Sequence, residues 1–357
     1  MSDLKINNIT DRLGESGTII AGVSTVTSIS AFTVASGPTE NRGGRGRAVL
    51  AGGYTPSNSN VMDYVEIATT GNATDFGDSG LSSHVQLAAL GSSTRGVIGG
   101  GSAPSTIGYY IFSSGGGIND FGESTLGRRG NGTANDSTRG LFAGGAGNTS
   151  PLNAPAYNII EYVTIASTGD ATDFGDMTRS SRQLAGCSSP TRGLFAGGYN
   201  TIPPGLRVSP GTVNSIIDYI TMQSKGDAKE FGELTVARSS FSGGSNTTRG
   251  LFVSGGNQNA SSPYPWTNYN IIDYVTIAST GNATDFGDTL QTGVHNTGTA
   301  CSQTRGVFAG GYVPAATNII SYVTISSTGN AQDFGDLTVA RSVGNDGGAS
   351  DVNGGLG

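Results

Sequence analysis

Short apolar runs alternate with polar, glycine-rich connections along most of the chain. One type of run has the form RGLFAGG, as at 139–145, and another has the form YVTIAS, as at 274–279. Both are rich in β-branched and aromatic residues, which favour strands, and their nearly continuous apolar character is typical of strands buried on both faces of a sheet. No long segment repeats its apolar positions with the 3.6-residue period of a helix. The pattern therefore predicts an all-β protein.

Two segments recur six times each and alternate along the chain. Variants of TRGLFAGG carry an arginine near the start, and variants of YVTIASTGNATDFGD carry a phenylalanine near the end. Successive copies lie roughly 44 to 57 residues apart, a period typical of propeller blades built from short strands. The spacing predicts a six-bladed β-propeller over 44–357. The residues that mark the copies are Arg47, Arg95, Arg139, Arg192, Arg249 and Arg305, and Phe76, Phe121, Phe174, Phe231, Phe286 and Phe334.

Each repeat is predicted to form four strands. The first is rich in Ser, Gly and Ala, as at 236–245, and small residues suit a strand beside a crowded ring axis. The glycine-closed run, the tyrosine-containing run and TDFGD follow as strands two, three and four. The first copy has little room for its own first strand, and the chain ends with a segment of that type. We expect residues 342–349 to complete the first blade, close the ring and remove an exposed sheet edge.

Residues 1–43 contain neither repeated segment. Their apolar residues alternate with Ser and Thr, which indicates strands. Strands with so few large side chains are marginal on their own. They are predicted to be an attachment or oligomerisation segment that needs a partner chain, and a homo-oligomer is one form this could take. The alternative is an arm packed on its own propeller.

The connections between strands differ between the two ends of a blade. The 3–4 turn is nearly constant, as STGNATDFGD, whereas the 2–3 loop varies and is longest at 199–218 and 257–273. Alternating strand directions place the 2–3 and 4–1 connections together on one side of the ring, here called the variable face. The 1–2 and 3–4 turns form the opposite, constant face. Loops that vary on a uniform scaffold are typical of binding surfaces. The candidate binding residues, chosen as aromatics and arginine in these loops, are Trp266, Tyr264, Tyr269, Arg207 and Tyr157.

Charge and composition exclude several classes of protein. The net charge is −7 with only three lysines, which argues against a nucleic-acid partner. No apolar run is long enough to predict a membrane span. Cys187 and Cys301 are too few for a disulfide framework and are predicted to be buried thiols.

Candidate catalytic motifs are weak. DFG recurs in nearly every copy, with none of the other kinase segments, so it is predicted to be structural. His84 and His295 are too few and too far apart in sequence for a metal centre. Asp285 and Asp288 flank a repeat phenylalanine and could ligate calcium, although their spacing is not that of an EF-hand loop. A pair between Arg249 and Asp285 is the structural alternative. We expect no enzyme activity, no cofactor and no resident metal, and leave calcium binding at the acid pairs open.

The order of a glycine pair, a tyrosine strand, an aromatic strand and an arginine resembles kelch repeats. The pair is Gly52–Gly53 in the first copy, and the arginine stands at Arg238 and Arg341 but not in every copy. Phenylalanine occupies the position of the kelch tryptophan. The tyrosines are Tyr64, Tyr162, Tyr219, Tyr274 and Tyr322. The resemblance implies a kelch-like propeller and says little about function.

The sequence of the repeat, together with LKINNIT and SGTIIAGVSTVTS before it, resembles virion structural proteins of tailed phages of marine cyanobacteria. This resemblance runs from Leu4 onwards. It implies a virion location and a tail fibre, appendage or surface protein that binds a host glycan or receptor. Residues 1–43 would then contact other virion proteins. A capsid-decorating protein, a carbohydrate-binding or carbohydrate-cleaving propeller acting in solution, and an intracellular scaffold are the alternatives.

Overall fold

The fold is known from a computed structural model. It describes residues 46–352 except for 56, 81–85, 102–104, 148–154, 201–211, 258–266, 292–293 and 345. The predicted segment 1–43 lies outside the described residues.

Six four-stranded antiparallel sheets form a six-bladed β-propeller, which confirms the predicted fold class. Within each blade the strands are counted from the ring axis outwards. The first strands are Gly348–Ser350, Leu87–Gly91, Gly132–Asn135, Ala185–Ser188, Ser242–Ser245 and Gly298–Cys301, for blades 1 to 6. The second strands are Arg47–Ala51, Arg95–Gly100, Arg139–Ala143, Arg192–Ala196, Arg249–Val253 and Arg305–Ala309.

The outer half of each blade is equally regular. The third strands are Val61–Glu66, Thr106–Ile111, Ile159–Thr164, Ile216–Thr221, Ile271–Thr276 and Ile319–Thr324. The fourth strands are Thr74–Asp78, Asn119–Glu123, Thr172–Asp176, Lys229–Glu233, Thr284–Asp288 and Gln332–Asp336. Four two-stranded ribbons extend the variable face. They are Arg128–Arg129 with Ala146–Gly147, Tyr199–Asn200 with Thr212–Val213, Gly256–Asn257 with Thr267–Asn268, and Tyr312–Val313 with Ala315–Ala316.

Both ends of the propeller sequence build blade 1. Gly348–Ser350 pairs antiparallel with Arg47–Ala51, with Ala349 opposite Val49. The predicted closure is confirmed, although the paired strand begins later than the expected residue 342. Ser342 makes an isolated bridge to Tyr54 instead. The closing strand leaves blade 1 with four strands like the other blades.

The apolar cores lie between neighbouring blades. One buried cluster joins Leu50 and Val65 of blade 1 to Val307 and Ile320 of blade 6, and five similar clusters follow around the ring. At the axis the first strands approach so closely that a side chain at Gly186 would overlap the backbone of Thr133. This close approach explains the small residues of the first strands.

Candidate binding face and ring axis

The repeat arginines hold neighbouring blades together on the constant face. Arg249 lies over the ring of Tyr274 in its own blade, with 4.8 Å between Cζ and the ring centroid. Its Nη1 donates to the carbonyl of Ile325 in the next blade at 2.9 Å. The expected pair with Asp285 is not among the ion pairs of the described residues, so that prediction is wrong. A carbonyl of the next blade replaces the carboxylate because it lies directly opposite the stacked guanidinium.

The same contact closes the full ring. Each repeat arginine stacks on the third-strand tyrosine of its own blade, and each donates to a carbonyl that follows the third strand of the next blade. The donor and acceptor residues are Arg47 and Phe112, Arg95 and Ala166, Arg139 and Met222, Arg192 and Ile277, Arg249 and Ile325, and Arg305 and Ile67. The repeat phenylalanines pack edge-on against the same tyrosines. The repeated segments are therefore structural.

The constant 3–4 turn is a second connection between blades. Asn282 Oδ1 accepts a hydrogen bond from Glu233 N of the preceding blade at 3.1 Å. Gly281 N donates to Phe231 O at 2.8 Å, and Ala283 N donates to Glu233 O at 2.7 Å. The residues equivalent to Asn282 are Asn72, Asp170, Asp227 and Asn330. The turn satisfies backbone groups that would otherwise remain open at the outer edge of each sheet.

The acid pairs considered for calcium are not gathered into a site. Within the described ranges, no group of three or more His, Cys, Asp and Glu side chains is placed to hold a metal ion. Asp285 is exposed and Asp288 donates its backbone N–H to Asn330 of the next blade at 3.0 Å. The calcium alternative gains no support from this arrangement.

Buried ion pairs lie beneath the variable face in four blades. Arg238 Nη1 and Asp273 Oδ2 are 2.8 Å apart, and Arg341 Nη1 and Asp63 Oδ2 are 2.7 Å apart; all four side chains are fully buried. Burial lowers the pKa of Arg238, an effect that Asp273 opposes. The other two pairs are Arg128 with Glu161 and Arg179 with Asp218.

The third-strand acid of a blade and an arginine in the preceding 4–1 connection are present or absent together. Blade 6 has Val294 and Ser321 at the two positions, and a cavity of about 20 Å³ lies between them. Blade 2 has Gly108 in place of the acid, and its sequence has no arginine in the 4–1 connection. In blade 4, Ser181 takes the usual position and Arg179 reaches Asp218 from two residues earlier. A charge without its partner would be costly at this depth, which accounts for the paired change.

A ring of tight turns surrounds the axis on the variable face. One residue in each 4–1 connection has a positive φ, including Gln183 at 55° and Ser240 at 58°. Their amides and carbonyls bond from blade to blade, as from Ser240 N to Gln183 O at 2.9 Å. The members, here called the turn ring, are Gln86, Gly130, Gln183, Ser240, Asn296 and Gly344.

Asp346 closes the axis just inside the turn ring. Its carboxylate accepts hydrogen bonds from Thr133 N at 3.1 Å and from Gly186 N and Gly243 N at 3.0 Å each. These amides belong to blades 3, 4 and 5, and Ala89 N of blade 2 donates to the Asp346 carbonyl at 2.7 Å. Burial raises the pKa of Asp346, although the three amides favour its ionised form. One residue of the closing segment thus binds four other blades.

Asp346 is not among the residues predicted from the sequence. The usable signal is the composition of the last repeat, where an Asn-Asp pair stands between glycines just before a strand of small residues. The axial cavity beside the first strands measures about 50 Å³, room for a few waters. Cys187 and Cys301 line it; both are buried free thiols, as predicted, and burial raises the pKa of Cys301 to about 12.

The predicted binding residues are only partly described. Trp266, Tyr264 and Arg207 lie outside the described residues. Tyr157 and Tyr269 are described and half-buried, and they occupy the same position before the third strand in blades 3 and 5. Their backbone amides donate to Gly145 O and Gly255 O respectively at 2.9 Å and 2.8 Å. The two tyrosines are therefore equivalent ring positions rather than members of one cluster.

The variable face differs from the rest of the surface in its exposed side chains. Every large hydrophobic side chain that is exposed among the described residues lies in a 2–3 or 4–1 connection. They are Tyr54, Leu126, Leu290, Tyr312 and Val339. Apart from the buried Asp346, these connections contain no Asp or Glu in any of the six repeats. The face is thus less acidic and more apolar than a chain of net charge −7 would suggest.

No protein-family model matches this chain, and no curated protein matches its sequence. In the part of the chain that the structure describes, no helix is long and apolar enough to cross a membrane.

Proposed function

We propose that this chain is a non-enzymatic structural protein of a phage virion, a tail fibre, appendage or surface protein that binds the host through its variable face. The observation that carries the binding role is the asymmetry of the two faces. The constant face is made of repeated contacts between blades, whereas the exposed apolar side chains lie on the variable face. Restriction of the exposed apolar side chains to one face supports an interaction surface there.

The virion location depends on the resemblance of the repeats and of residues 1–43 to phage virion proteins. The repeated motifs that could suggest chemistry are engaged in structure, since DFG belongs to the 3–4 turn contact and the repeat arginines bind carbonyls. This use of the motifs supports a binding role over an enzymatic one. The capsid-decorating protein and the carbohydrate-binding or carbohydrate-cleaving propeller are the competing proposals.

Copurification and adsorption together test the proposal. The full chain should copurify with intact particles, and a chain that lacks residues 1–43 should fold but fail to join them. Particles without the protein should adsorb poorly to host cells. Normal adsorption of such particles would favour the decorating role. Absence of the protein from purified particles, combined with release of sugar from host envelope, would favour the propeller acting in solution.

A further inference from the structure

Two arginines on the variable face lack an acidic partner within the described ranges. Arg129 stands in the 4–1 connection of blade 3, and Arg182 has the equivalent position in blade 4. Each directly precedes a member of the turn ring, and Gln183 N donates to Gly130 O at 2.7 Å. The two arginines therefore lie side by side across the blade interface. The other described arginines bind a carbonyl of the next blade or pair with an acid.

The Arg182 side chain is held in place without using all its donors. Its Cζ lies 5.1 Å from the centroid of the Tyr199 ring, and its Nε is buried with no hydrogen-bond partner. Burial lowers the pKa of Arg182, and the positive charge of Arg129 lowers it further against the effect of Tyr199. A stacked guanidinium with unused donors beside a second positive charge is preorganised to receive an anion.

The surroundings of the two arginines also favour an anionic ligand. The connections of the variable face carry no acidic residue except Asp346, whose carboxylate is buried and bonded to three amides. An approaching anion therefore meets no exposed carboxylate from these connections. The half-buried Tyr157 of blade 3 lies on the same face, whereas the exposed rings of Tyr54 and Tyr312 belong to blades 1 and 6 on the far side of the ring. Aromatic rings with a polar edge pack well against sugars.

We propose that Arg129 and Arg182 form an anion-binding site on the variable face, and that its ligand is a surface glycan carrying carboxylate, sulfate or phosphate groups. The choice of a glycan rests on the proposed function, whereas the anion site rests on the two arginines alone. Each guanidinium would offer a fork of N–H donors to the acidic group.

Calorimetric titration of the full chain tests the site. The probes are carboxylated, sulfated and phosphorylated oligosaccharides, each with its neutral counterpart, together with inorganic phosphate and an acidic peptide. The variants are Arg129→Gln and Arg182→Gln. Lys225→Gln is the matched control, because it removes the same charge from a 3–4 turn on the constant face. We expect at least one charged glycan to bind about tenfold or more tightly than its neutral counterpart, and added salt to weaken it.

Each arginine variant should weaken this binding roughly tenfold or more with at most a small change in melting temperature, since neither variant removes an acidic partner and only Arg182→Gln removes a ring contact. Lys225→Gln should bind like the unchanged chain. Equal binding of charged and neutral glycans, or of arginine variants and the unchanged chain, would overturn the anion site and leave host binding standing. Tighter binding of the acidic peptide would overturn the glycan assignment. Normal host attachment by a double variant that has lost glycan binding would overturn the glycan as the host ligand. Failure of the unchanged chain to attach to host cells, with its glycan binding intact, would instead contradict the proposed function.

Discussion

In the buried ion pairs, the contribution of each residue to stability depends on its partner. Arg238 and Asp273 are fully buried, and Arg238 also donates to Phe252 O at 3.1 Å. Blade 6 replaces the equivalent pair with Val294 and Ser321 and keeps the same strand pairing. The blade fold thus tolerates both versions, provided that the two residues change together.

We predict strong coupling between these two positions. Arg238→Val or Asp273→Ser alone should lower the free energy of unfolding by about 3–5 kcal/mol, because each leaves an uncompensated buried charge. The double substitution should cost much less than the sum of the two, since it reproduces the arrangement of blade 6. Urea denaturation of the four proteins measures the cycle. Additive single effects would show that the pair is not a unit.

Asp346 is predicted to be the most sensitive single residue at the axis. Asp346→Ala leaves two buried amides and one partly buried amide without an acceptor, and each unsatisfied buried group costs about 1–3 kcal/mol. We therefore expect a large fall in the denaturation midpoint. Asp285→Ala serves as the control, because Asp285 is an exposed carboxylate on a fourth strand. Equal midpoints for the two variants would mean that Asp346 does not hold the axis together.

The 3–4 turn is an element that stabilises the neighbouring blade as well as its own. Asn282 of blade 5 accepts a hydrogen bond from Glu233 N of blade 4. Asp170 of blade 3 and Asp227 of blade 4 accept the equivalent bonds from their preceding blades. Asn282→Ala should cost about 1 kcal/mol, the usual value of one hydrogen bond. Asn282→Asp should be nearly neutral because it keeps the acceptor. Thermal unfolding compares them, and an equal loss in both variants would contradict the role of the turn.

The blades could be predicted from the sequence because six copies repeat one pattern. The strand order and the closing strand follow from apolar runs, glycine pairs and the missing first strand of the first copy. The partner of Arg249 could not be predicted, since a backbone carbonyl of Ile325 has no signature in the sequence. The site formed by Arg129 and Arg182 was missed for a related reason. The sequence does not show that the two arginines are neighbours, because they come together only where two separate 4–1 connections meet at the turn ring.

The stability of the whole molecule depends on closure of the ring by the C-terminal segment. The segment from Arg341 onwards supplies a buried ion pair with Asp63, the closing strand and the axial carboxylate of Asp346. Deleting residues 341–357 should abolish cooperative thermal unfolding and expose the edge of the Arg47–Ala51 strand to aggregation. Calorimetry together with light scattering measures both effects. A truncated chain with an unchanged melting curve would contradict closure by this segment.

In the proposed function, the variable face, and not the constant face, contacts the host. Blocking one face at a time tests it most directly. Cys187 and Cys301 are buried, so a maleimide-linked polymer should react only with an introduced cysteine. Val339→Cys places it on the variable face, and Thr280→Cys places it in an exposed 3–4 turn on the constant face.

Attachment of the labelled proteins to host cells is the measurement. We expect the polymer at position 339 to abolish attachment and the polymer at position 280 to leave it intact. Unlabelled variants should both attach normally. Loss of attachment only with the label at position 280, or normal attachment with both labels, would contradict the assignment of the variable face to host binding.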